Sequence, residues 1–222
     1  MTKLRLGVLA SGTGSNLQSI LDACAQGRIP AQVAVVISNL TSAKALDRAR
    51  EAGVRAILLP HQLSPSREAY DEQLVSVLRE HEVELVCLAG FMRLITPVLL
   101  RAFENRILNI HPALLPSFPG LHAVRQALKA GVKISGCTVH VVDEGTDTGP
   151  IVVQAAVPVL EGDDEESLAA RILAQEHRCY PWALRLWAEG RVALEGRRVR
   201  IATARGDPTR QILSPALQGE QP

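Results

Sequence analysis

Short β-rich runs that alternate with helical periods, and two longer runs joined by a polar turn after residue 134, predict a single α/β domain. The sheet is expected to be mostly parallel and twisted, with helices on both faces and an antiparallel extension in the C-terminal half. Residues 4–10 read as a strand that ends at Ser11-Gly12-Thr13-Gly14-Ser15. Residues 16–25 follow as a helix, with Leu17, Ile20, Leu21 and Cys24 on one face. The run 31–38 has the apolar content of a strand covered on both sides. A helix over 43–52 stops at Gly53; then come strand 56–59, helix 66–80 and strand 85–88. Thr96-Pro97 opens a short helix, since proline is tolerated in the first helical turn, and strand 107–110 follows.

In the second half, runs 134–142 and 151–160 read as an antiparallel pair joined by the polar turn 143–150. A long helix over 165–189 should be kinked or divided at Pro181. Residues 192–201 read as a last hairpin. The domain is set at 1–201, and 202–222 loses periodicity and reads as a flexible tail.

Composition narrows the class. Of the 222 residues 47% are hydrophobic, enough for a full core, and the formal net charge of +1 gives no general drive toward nucleic acid or anionic lipid. No apolar run reaches the ~20 residues that cross a bilayer. The N-terminus lacks the pattern of a signal peptide, so a cytoplasmic location is expected. The four cysteines, Cys24, Cys87, Cys137 and Cys179, are scattered and read as small buried hydrophobes.

Two stretches carry chemistry. Strand, glycine-rich turn, helix is the setting of an anion site, because N–H groups at a helix start point at the ligand. A dinucleotide fingerprint would need a third glycine where Leu17 stands, and an acidic residue near Ser38-Asn39. A Walker A loop would need Gly-Lys-Ser/Thr. What is left is a loop for one phosphate, formed by Gly12, Thr13, Gly14, Ser15 and Asn16, or a tight turn that only caps its helix; the loop alone leaves both open. The second stretch is Asn109-Ile110-His111-Pro112. Alternation along a strand puts Asn109 and His111 on one face at the carboxyl end of a parallel strand, where open α/β sheets bind ligands. An amide beside an imidazole can stabilise an oxyanion and exchange a proton. Asp147 lies in the 143–150 turn, where aspartate has ordinary backbone reasons to be.

The motifs S-G-T-G-S-N at 11–16, S-R-E-A-Y at 66–70 and L-A-G-F-M-R-L-I at 88–95 occur in order with three more. These are N-I-H-P-A-L-L-P-S-F-P-G-L-H at 109–122, H-V-V-D-E-G-T-D-T-G-P-I at 140–151 and Q-E-H-R-C-Y-P at 175–181. Together they resemble the phosphoribosylglycinamide formyltransferase family over residues 4–200, which implies its Rossmann-like formyltransferase fold. The resemblance implies direct transfer of a formyl group from 10-formyltetrahydrofolate, a co-substrate, to the amine of glycinamide ribonucleotide in purine biosynthesis. Asn109, His111 and Asp147 fall on the family's catalytic positions, with Asp147 orienting and charging His111. Glycinamide ribonucleotide would be held by residues 12–16 and by Glu176. Folate would meet Arg67, Met92, Arg93, Leu94 and Ile95, together with Asn109 and the loop Asp143, Glu144, Gly145, Thr146 and Asp147. No metal is implied, and the partners are small molecules, with no nucleic acid or membrane and a monomer or homodimer as the assembly. Ala113 stands where the family often has serine, and Thr13 where some relatives have asparagine. A methionyl-tRNA formyltransferase would be expected to carry a further C-terminal domain, and a formyltetrahydrofolate hydrolase an N-terminal one. A non-catalytic folate- or nucleotide-binding module would be marked by loss of one of the three residues, and all three are present.

Overall fold

The computed structural model describes residues 3–202. Nearly all of the tail expected at 202–222 lies outside the described residues. Strands β1 (Leu4–Leu9), β2 (Ala31–Ser38), β3 (Arg55–Leu58), β4 (Leu85–Leu88) and β5 (Ile107–His111) form the parallel part of one sheet. β6 (Ile134–Val141) and β7 (Ile151–Pro158) extend it antiparallel, giving seven strands in the order β3-β2-β1-β4-β5-β6-β7. The order reverses between β1 and β4, so the carboxyl ends of β1, β4 and β5 open beside one another at the switch point.

Helices cover both faces. On one lie α1 (Ser15–Ala25), α2 (Ala45–Glu51), α5 (Ala123–Ala130) and α6 (Glu165–Ala188), with Leu17, Ile20, Leu168, Ile172 and Leu184 buried on Leu6 and Val8. On the other, α3 (Arg67–Glu80) and α4 (Pro97–Ala102) bury Tyr70, Leu74, Leu78, Leu99 and Phe103 against Leu9, Val35 and Val86. Ser66 caps α3 through Ala69 N–H, and Thr96 caps α4 through Val98 N–H, one residue before Pro97. A capping box between Asp164 and Ser167 opens α6. A hairpin of β8 (Val192–Glu195) and β9 (Arg198–Ile201) completes the described chain.

Two expectations need correction. Pro181 does not divide the long helix; α6 runs unbroken through it. Proline removes one backbone hydrogen bond, but Pro181 is buried between Tyr180 and Ala183, and their packing holds the helix together there. Tyr180 is fully buried, and its hydroxyl donates to the carbonyls of Leu88 and Leu108. The second correction is α5, which the sequence pattern does not announce: it has only eight residues and starts after His122, whose φ of 58° is left-handed.

Candidate active site

β1 delivers its carboxyl end into residues 11–16, and Gly14 is the residue that makes this turn possible. It has φ 72°, and a Cβ built on it would stand 2.8 Å from the Ala45 Cα. α2 presses on the loop here, and Ala45 N–H donates to the Gly12 carbonyl. No side chain caps α1 and its first turn has no acidic residue, which leaves its N–H groups for an external anion. Gly14→Ala is therefore expected to cost about 1–3 kcal/mol through strain and overlap. It should also weaken inorganic phosphate binding, checked by thermal unfolding and by titration.

Asn16 and Glu176 meet at the inner wall, with Asn16 Nδ2 2.7 Å from Glu176 Oε2. Both are buried, and among the described residues Asn16 Oδ1 has no hydrogen-bond partner. Burial pushes the Glu176 carboxyl up, partly offset by the Asn16 bond. The sequence pattern alone gives Glu176 as a solvated helix residue; α6 instead turns it inward beside Ile172 and Cys179.

Asn109, His111 and Asp147 are brought together. β5 carries the first two, and the antiparallel return of β6 brings back the loop that holds Asp147. His111 Nδ1 is 3.2 Å from Asp147 Oδ2, and His111 Nε2 is 2.8 Å from the Phe118 carbonyl. Both ring nitrogens face acceptors, an arrangement that the doubly protonated ring satisfies fully and the neutral ring by half. Asn109 Nδ2 lies 3.3 Å from Asp147 Oδ1, and Gly120 N–H donates to Asp147 Oδ2 at 2.8 Å. Asp147 itself has φ 55°. Burial works to raise its carboxyl, but the His140 ring, the Gly120 N–H and the His111 charge outweigh that and hold it at about 2.

His140 is the residue that motif reasoning missed. It sits on β6 directly across from Asn109, with Nε2 3.1 Å from Asn109 Nδ2 and 3.5 Å from Asp147 Oδ1. The available signal was a histidine between two valines at the head of the motif at 140–151. Ala113, where a serine side chain was the family's habit, is fully buried. Its carbonyl accepts from Thr138 Oγ1, which also accepts the Leu115 N–H, so the chain after His111 is tied to β6.

Of the residues expected to face folate, Arg67 opens α3, residues 92–95 follow β4, Asn109 lies on β5, and residues 143–147 lie between β6 and β7. Met92 and Leu94 are 68% and 62% exposed, a large apolar area for a flat ring, while Ile95 is half-buried. Arg67 donates to the Leu94 carbonyl, and the Arg93 guanidinium stacks 4.9 Å from the Tyr70 ring centre. Asp71 accepts the Thr96 N–H and anchors the end of this segment. Glu144, Gly145 and Thr146 are exposed, and Asp143 braces their loop by accepting from Gly145 N–H and Thr148 Oγ1. Among the described residues, no group of three or more His, Cys, Asp or Glu is placed to hold a metal ion. Nor is any of their helices long and apolar enough to cross a membrane.

A family model described as formyl transferase matches residues 4–184. The chain belongs to the formyl transferase family. It is 44% identical over 191 residues to phosphoribosylglycinamide formyltransferase of Escherichia coli, covering 86% of this chain and 90% of that one. It is also 52% identical over 189 residues to the trifunctional purine biosynthetic protein adenosine-3 of Drosophila pseudoobscura pseudoobscura. That match covers 84% of this chain and 14% of the relative's length. Among solved structures, glycinamide ribonucleotide transformylase 1 from Symbiobacterium toebii superposes with a TM-score of 0.89 at 61% identity. It covers 90% of this chain and 94% of that one.

Proposed function

We propose that this formyl transferase moves the formyl group of 10-formyltetrahydrofolate to the amine of 5'-phosphoribosylglycinamide, in the cytoplasm, as a step of purine biosynthesis. The observation that carries the reading is the convergence of Asn109, His111 and Asp147 at the strand ends that also bear the glycine-rich loop. The loop and Glu176 would receive the phosphoribosyl part of the acceptor. Met92, Leu94 and Ile95 would receive the pterin, and Arg67 and Arg93 the folate's carboxylates.

The amine nitrogen attacks the formyl carbon and gives a tetrahedral oxyanion. Collapse breaks the bond from that carbon to N10, which takes a proton as the amine loses one. In this structure His111 Nε2 is spent on the Phe118 carbonyl, and Asn109 Nδ2 reaches Asp147 only at 3.3 Å. The oxyanion takes over these two donors, because a full negative charge is a stronger acceptor than a carbonyl. Asp147, ionised across the neutral range, orients the His111 ring and helps move the proton off the attacking amine. Neither a covalent enzyme intermediate nor a metal is required by this sequence of steps.

The test is a three-way assay with 10-formyltetrahydrofolate and either glycinamide ribonucleotide, charged initiator tRNA or water. Transfer to the ribonucleotide alone is expected. Transfer only to tRNA, or hydrolysis faster than transfer, would sink the assignment in favour of the tRNA-directed or hydrolytic relatives.

A further inference from the structure

We infer that Arg48, on α2, is a positioning residue for the acceptor's phosphate, acting from behind the glycine-rich loop; this rests on the reading of that loop as the phosphate site. Arg48 Nε donates to the Thr13 carbonyl at 2.8 Å, and Nη1 donates to Gln18 Oε1 at 3.1 Å. In a planar trans peptide the C=O and the next N–H point in opposite directions. A guanidinium on the Thr13 oxygen therefore turns the Gly14 N–H the other way, and its charge polarises that peptide in the sense that favours an anion.

Three further observations agree. Among the described residues no carboxylate forms an ion pair with Arg48, although Arg50 on the same helix pairs with Asp47 and Asp22 lines the same cavity as Arg48. The loop itself, residues 11–16, contains no lysine or arginine, and a phosphate dianion held by neutral N–H groups alone lacks a countercharge. The cavity of about 390 Å³ beside α1 is lined by Ser15, Ser19, Arg28, Arg48 and His177 among others. Within this group His177 Nε2 is buried with no hydrogen-bond partner among the described residues, and burial together with the Arg48 charge lowers the His177 pKa. The Arg48 charge is thus felt at this end of α1, while its planar fork spans the Thr13 carbonyl and Gln18 on the first turn of the helix. Lysine would keep the charge and lose the fork.

The experiment compares wild type, Arg48→Gln and Arg48→Lys. It measures binding of inorganic phosphate by titration, and KM for glycinamide ribonucleotide against the affinity for its dephosphorylated riboside. Arg48→Gln is expected to weaken phosphate and raise the ribonucleotide KM by about tenfold. Riboside affinity, folate KM and kcat should stay within about twofold, and Arg48→Lys should recover part of the loss. A purely structural brace would shift riboside, folate and melting temperature as well; that result, or unchanged phosphate binding, overturns the inference. Inorganic phosphate needs no turnover. If wild type binds phosphate but does not formylate the ribonucleotide, the functional reading fails while the role of Arg48 is still decided.

Discussion

Asp147→Asn is expected to lower kcat by about 10²–10⁴-fold while changing KM for either substrate by about threefold or less. Asparagine fills the same space and can keep the Gly120 N–H contact through its remaining oxygen. It removes the charge that His111 Nδ1 faces at 3.2 Å. On the proposed role, the His111 ring then loses the charged partner that orients it toward the oxyanion, and the oxyanion is less well stabilised. That interaction exists only in the transition state, so the loss falls on kcat. Steady-state kinetics with both substrates varied would check it, and a loss confined to KM would refute the role. Because the pair acts as a unit, His111→Ala combined with Asp147→Asn should cost little more than either change alone.

The same carboxylate makes a pH-dependent contribution to stability. Its folded pKa of about 2 lies below the ordinary aspartate value of about 3.9. The Asp147 contribution is therefore fully present above about pH 4 and is lost as pH falls toward 2. Acid unfolding of Asp147→Asn should be flatter over that interval than that of wild type.

Tyr180→Ala is expected to be the most damaging single change to stability, costing about 3–5 kcal/mol through its cavity. The ring is fully buried in the layer between α6 and the sheet, and the hydroxyl holds the carbonyls of Leu88 and Leu108 at once. Those carbonyls end β4 and precede Asn109 in β5, so the tyrosine spans the two strands that lead to residues 92–95 and carry Asn109. Tyr180→Phe isolates the hydroxyl and should cost about 1–2 kcal/mol. Denaturant titration measures both; a phenylalanine variant as unstable as the alanine variant would show that the polar bond, not the packing, dominates.

The β-α rhythm of the first half was legible because each strand and each helix repeats its own period, and the strand bounds found for β2 and β4 are those expected. Asn109 and His111 were legible for the same reason, since a strand's alternation places them without knowledge of the rest. Asp147 and Glu176 were not, until the family resemblance recruited them. The turn aspartate meets His111 and Asn109 only through the antiparallel return of β6, and the helix glutamate meets Asn16 only through the packing of α6 on α1. His140 was hidden by the same ignorance of register: its place opposite Asn109 is a fact about pairing, and pairing is not written in either strand separately. The continuity of α6 through Pro181 shows burial overriding a local propensity.

The bond between Asn16 and Glu176 joins residues 160 positions apart. During synthesis the glycine-rich loop leaves the ribosome early, yet its inner wall is missing until almost the whole described chain has followed. On the proposed reading of that wall, the acceptor site would be complete only in the finished molecule, and a nascent chain with only its first strands folded would lack the Glu176 side of it.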